Sequence, residues 1–145
     1  MEELLELREH IEHGRYDSAL LLIGDLEDMS RDDKINRIES FLEVLMLHLI
    51  KQQAENRTTR SWDISIRNAT EQIVRINRRR KARGFYLSEA EIDEAIEESY
   101  AIALRRASLE AFSGIYLPEE LAARVDESVV KEETLGLILE AQANR

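Results

Sequence analysis

Ile35-Asn36-Arg37-Ile38-Glu39-Ser40-Phe41-Leu42-Glu43-Val44-Leu45-Met46-Leu47-His48-Leu49-Ile50 is the stretch that decides the fold. Ile35, Ile38, Leu42, Leu45 and Leu49 recur at the three- and four-residue spacing of an α-helix. Phe41, Val44, Met46 and Leu47 widen that stripe until nearly the whole circumference is apolar, and a helix apolar all round is a buried one. The segment 30–55 is therefore predicted as the central helix. Ser30 opens it, with Asp32 and Asp33 in the first turn, where their charge complements the helix dipole. It is not a membrane span. Its longest apolar run, Phe41 to Ile50, is interrupted by Glu43 and His48 and falls well short of the ~20 residues that crossing requires.

On the N-terminal side, Leu4, Leu7 and Ile11 share one face of a short helix that Gly14 ends. Asp17 can cap a second, with Tyr16, Leu20, Ile23 and Leu26 at helical spacing. On the C-terminal side, Thr58, Thr59 and Ser61 mark a break and a fresh cap. Trp62, Ile66, Ala69, Ile73 and Ile76 then give a fourth helix a narrow stripe, predicted to run to about Arg83 before Gly84. Ser88-Glu89-Ala90-Glu91 matches a capping box. Ile92, Ile96, Ala103, Ala107 and Ala111 follow on a fifth helix ending at Gly114. Pro118 suits the first position of a short sixth, and Glu133 to Ala141 makes a last segment.

One proline, five glycines and no cysteine in 145 residues leave few places for strands to turn, and no thiolate for a disulfide or a zinc site. The expectation is an all-α, single-domain bundle, 1–145, of about five to seven helices. The central helix 30–55 and an antiparallel hairpin of 60–83 with 88–112 form its frame, with 1–14 and 128–145 as peripheral helices. The start Met1-Glu2-Glu3 has no basic, then apolar, signal-peptide pattern, so the setting is read as cytoplasmic.

Charge is distributed unevenly along the chain. Residues 1–56 carry −8, 57–83 carry +7 and 84–145 carry −9. The basic island holds Arg75, Arg78, Arg79, Arg80, Lys81 and Arg83. Such a cluster along one helix is the footprint of phosphate binding, so polyanion or nucleic-acid contact through 57–83 is one reading. The short connection Gly84 to Leu87 supports another, in which the fourth and fifth helices lie antiparallel and the cations face Glu89, Glu91, Asp93 and Glu94. Each cluster also complements its own helix dipole, by about 0.3–1 kcal/mol per charge at low salt. The basic stretch has no aromatic residue for base stacking, which favours internal pairing.

No set of residues specifies a reaction. His10 and His13 fit neither zinc-protease spacing, and no Glu-x-x-His pair exists for a di-iron site. His48 lies in the apolar helix without a triad partner at a defined offset. Trp62, beside Arg60 and Arg67, heads an amphipathic stripe and reads as a packing anchor that could also stack on an arginine.

Gly14-Arg15-Tyr16-Asp17, Leu26-Glu27-Asp28-Met29, Leu45-Met46-Leu47-His48-Leu49-Ile50-Lys51, and Arg60-Ser61-Trp62 with Ile66-Arg67 occur in an order that resembles the mainly cyanobacterial helical family called domain of unknown function 29. The resemblance implies an all-helical fold and brings no assigned activity. The expected role is a non-enzymatic helical interaction module without cofactor or metal. It would bind itself or another protein, with nucleic acid as the lesser alternative and no membrane partner. His48, Lys51, Arg60, Trp62, Arg67 and the six basic residues from Arg75 to Arg83 are the candidate interaction residues.

Overall fold

The computed structural model describes residues 2–79 and 83–144. Among these there are six α-helices and no strand. They are α1 (Glu2–Glu12), α2 (Tyr16–Glu55), α3 (Arg60–Asn77), α4 (Glu89–Glu110), α5 (Pro118–Ala122) and α6 (Glu127–Ala143), with a single 3-10 turn at Ala111–Gly114. No helix among the described residues is long and apolar enough to cross a membrane.

The chain divides into two compact units, Met1–Ile35 and Asn36–Arg145. In the first, Gly14 closes α1 as expected. Its φ of +73° allows a Schellman motif, in which Arg15 N donates to His10 O (2.8 Å) and Gly14 N to Ile11 O (3.2 Å). The predicted second and third helices are one helix, α2. Ser30 does not start a new one, because nothing before it ends the helix: no proline precedes it, Gly24 does not take a positive φ, and the α-helical ladder continues through it. The first unit has almost no core: α1 contains no buried residue, and in the α2 stretch 16–35 only Ala19 is buried.

The second unit is built as the apolar stretch at 35–50 requires. Ile38, Leu42, Leu45, Met46 and Ile50 of α2 are wholly covered, as are Ile73 and Val74 of α3, Ile92 and Ile96 of α4, Leu121 of α5, and Val130 and Ile138 of α6. Each such side chain contributes about 1.5–3 kcal/mol relative to leaving it in water. Among the three candidate caps before α3 it is Thr59 that acts, its hydroxyl accepting from Trp62 N at 3.1 Å. The capping box before α4 is complete, with Ser88 accepting from Glu91 N and Glu91 from Ser88 N.

Two boundaries and one placement differ from expectation. First, α3 stops at Asn77, and Arg78 is extended and forms an isolated antiparallel bridge with Phe85. The side chain of buried Asn77 causes the stop: Oδ1 accepts from Leu87 N (2.8 Å), and Nδ2 donates to Gln142 Oε1 (2.9 Å). Second, α6 begins before Glu133, because Asp126 caps it by accepting from Val129 N. Third, this last helix, expected at the periphery, buries Val130, Thr134 and Ile138 and packs on both α3 and α4. The small residues Ala95, Ala103 and Ala107 of α4 are buried, as close helix packing requires.

Candidate functional site

Two of the four family-like stretches, Leu45 to Lys51 and Arg60 to Arg67, meet where α2 ends and α3 begins. Asn56, at φ 50°, takes the left-handed conformation that terminates α2, and Thr59 restarts the chain as α3. This turn sets Trp62 against the last turns of α2. Lys51 Nζ lies 4.6 Å from the indole centroid and the Arg57 guanidinium 4.7 Å from it, both within cation–π range.

Lys51 is only 5% exposed, and its ammonium donates to Glu110 Oε1 at 2.9 Å, reaching the C-terminal end of α4. Burying a cation without partners is costly, so the carboxylate and the indole face together make this placement tolerable. Glu55, one turn on, accepts from Arg57 Nε at one oxygen (3.0 Å) and from Phe112 N at the other (3.2 Å).

That second bond holds a strained turn. Phe112 and Ser113 both have positive φ, 50° and 59°, and Gly114 follows at 78°. Non-glycine residues held this way cost of order 1–3 kcal/mol each and need surroundings that over-determine them. Here the surroundings are Glu55, an edge-to-face contact of Phe112 with Tyr116 at 5.2 Å, and Arg124 over both rings.

His48 sits one turn before Lys51. Its Nδ1 is buried and has no hydrogen-bond partner. Burial, then the Lys51 ammonium, push its pKa below the ordinary imidazole value; Arg106 acts in the same direction and Glu110 opposes. A general base needs a positioned partner, and none holds this nitrogen. The cluster therefore has the chemistry of a joint between α2, α3 and α4: its cations and carboxylates are spent on one another. No group of three or more His, Cys, Asp or Glu with metal-binding geometry occurs among the described residues.

The remaining sequence candidates lie elsewhere. Arg60 and Arg67 are exposed on α3, and Arg67 lines an α3–α6 groove with Asp63, Thr70 and Glu140. Arg75, Arg79 and Arg83 are exposed, and the Arg79 guanidinium lies 5.4 Å from the ring of Tyr86. Among the described residues no ion pair joins Arg75, Arg78, Arg79 or Arg83 to the carboxylates of α4, so the expected internal pairing is not made by these four. Arg80 and Lys81 fall outside the described residues.

Sequence reading found Lys51 and Trp62 but missed Glu110 and Glu55. Their partners lie 59 and 57 positions away, and no local pattern marks such pairs.

A second feature is exposed apolar surface. Of fourteen large hydrophobic residues exposed among the described residues, seven lie in the first 29 positions: Leu4, Leu5, Ile11, Tyr16, Leu20, Leu21 and Met29. That density in a stretch with a single buried side chain is apolar surface that its own unit does not cover.

The family model described as Domain of unknown function DUF29 matches residues 9–133, a span that includes the Lys51, Trp62 and Glu110 cluster and most of the first unit. No curated protein and no solved structure matches the chain.

Proposed function

The chain belongs to the family described as domain of unknown function DUF29, and on that premise we propose that it is a non-enzymatic helical protein-interaction module. The second unit is its stable body and the first unit its contact surface, in a cytoplasmic setting. The observation that carries this reading is the contrast in burial. Residues 36–145 bury a full set of Leu, Ile and Val side chains, whereas 2–35 leave seven large apolar side chains exposed and bury one alanine. Apolar surface of that density is the ordinary mark of a protein contact. Lys51, Glu55 and Glu110 at the α2–α3 joint are engaged by internal bonds, which fits a body built for stability.

The test combines sedimentation with recovery of associated proteins from native cells, for the natural chain and for a Leu20→Glu, Leu21→Glu variant. Association, with itself or with another protein, is expected for the natural chain and lost in the variant, whose helical content is unchanged. A strict monomer that recovers no protein would remove the reading.

Polyanion binding has one observation in its favour: Arg75, Arg79 and Arg83 are exposed and not ion-paired to α4. A salt-dependent gel shift lost on changing these three to Glu would establish it, and no shift at low salt would dismiss it.

A further inference from the structure

The contact face of the first unit carries enough detail to say what kind of partner it fits. Tyr16, Leu20 and Gly24 stand four residues apart on one side of α2, and Tyr16 and Leu20 are 64% and 65% exposed. A glycine inside a helix has no side chain to hold a neighbouring helix at a distance. At Gly24 the space a Cβ would take is open, with no atom within 4 Å. Gly24 is half-buried, one turn from the exposed Leu20, and a neighbouring helix could approach closely there.

Charge narrows the occupant. Residues 2–29 hold nine carboxylates and only two arginines. Both arginines are already engaged, Arg8 with Glu12 (2.8 Å) and Arg15 with the ring of His10 (2.9 Å). By helical geometry Asp17 and Asp28 flank the stripe beyond Gly24, and Glu27 lies in line with it at its end. A second copy laid on this face would bring its own Asp17, Glu27 and Asp28 against the first set, a like-charge juxtaposition that disfavours pairing.

Resting on the interaction reading above, we infer that the Tyr16–Leu20–Gly24 face docks a basic amphipathic helix of another protein. Its apolar side lies on Leu20 and closes over Gly24, and its lysines and arginines meet the flanking carboxylates. This is helix-on-helix recognition in which buried apolar area supplies affinity and charge selects the partner.

The test uses the full chain and three amphipathic peptides of about 20 residues, followed by fluorescence anisotropy. One peptide has a leucine and alanine stripe flanked by Lys and Arg. The second keeps the stripe and has Glu in place of the cations. The third keeps the cations and has Ser in place of the leucines. The first is expected to bind, more weakly as salt rises, and the other two not. Leu20→Glu and Gly24→Leu should each weaken binding by about tenfold or more. Gly24→Leu should melt no lower than the natural chain, which separates loss of the docking face from loss of the fold.

Binding of the basic peptide that neither variant changes would overturn the inference, as would equal binding of the serine peptide or no binding at all. Sedimentation provides a separate arm. A tight dimer abolished by Leu20→Glu would show a second copy on this face, defeating the basic-helix inference while leaving the interaction reading standing.

Discussion

The ammonium of Lys51 lies 2.9 Å from the carboxylate of Glu110, joining the end of α2 to the end of α4. The two partners differ in exposure, with the Lys51 side chain 6% exposed and that of Glu110 47%. The pair therefore belongs between surface ion pairs, worth about 0–1 kcal/mol, and fully buried ones, whose breakage costs about 3–5 kcal/mol. Glu110→Ala is expected to cost about 1–2 kcal/mol. Lys51→Ala should cost more, about 2–3 kcal/mol, because it also removes the contact with Trp62 and the packing of the alkyl stem. Urea unfolding of both single variants and the double variant would measure this. Strict additivity would contradict the coupling.

Asn77 is wholly buried and holds three elements together through Leu87 and Gln142. Asn77→Leu leaves the Leu87 amide inside without a partner, at a cost of about 1–3 kcal/mol. Loss of stability is expected together with faster amide hydrogen exchange at Leu87. Unchanged exchange there would show that the side chain does not secure the turn.

His48 gives the fold a pH dependence of definite sign. Its folded pKa lies below the ordinary 6.5, chiefly because it is buried. Between those two values the unfolded chain binds more protons than the folded one, so stability falls as pH drops from 6.5 through that window. Glu39 acts oppositely. Burial first, then Glu98 and Glu43, raise its pKa above 4.5, so the folded form is favoured as pH falls through its own window. The informative quantity is therefore the difference between the natural chain and His48→Leu. The loss of melting temperature from about pH 7 to about pH 5.5 should shrink in the variant. An equal loss in both chains would contradict this assignment.

Two glycines should respond oppositely to alanine. A Cβ at Gly136, inside α6, meets nothing within 4 Å, so Gly136→Ala should stabilise by about 1 kcal/mol. At Gly114, φ is +78° and a Cβ would lie 2.8 Å from the Leu109 carbonyl oxygen. Gly114→Ala should destabilise by about 1–3 kcal/mol. Thermal melts of the two variants distinguish the cases, and a shift in the same direction for both would count against the strained turn.

Much of the fold is written locally. The helical periodicity at 35–50, the Gly14 terminus, the Thr59 cap and the Ser88 capping box each depend on residues within about one turn of one another, and each is realised. Four features were not legible. Ser30 and the aspartates after it look like a helix start, yet nothing before them breaks the ladder, and the helix runs through. The end of α3 depends on Asn77 reaching Leu87 and Gln142, bonds set by how the chain packs and not by its local pattern. The site is split in the same way. Lys51 and Trp62 stand out near the break between helices, whereas Glu110 and Glu55 become visible only when the fold brings them in. The uncovered face of the first unit was hidden for another reason: an amphipathic stripe looks the same whether its own chain or a partner covers it.

The most direct measurement is site-specific photo-crosslinking in native cells, with the photoreactive residue placed at Leu20 in one chain and at Arg60 on α3 in another. If the first unit is the contact surface, Leu20 yields a discrete protein adduct and Arg60 does not. No adduct at Leu20, or the same adduct at both positions, would contradict an interaction module that works through its N-terminal helices.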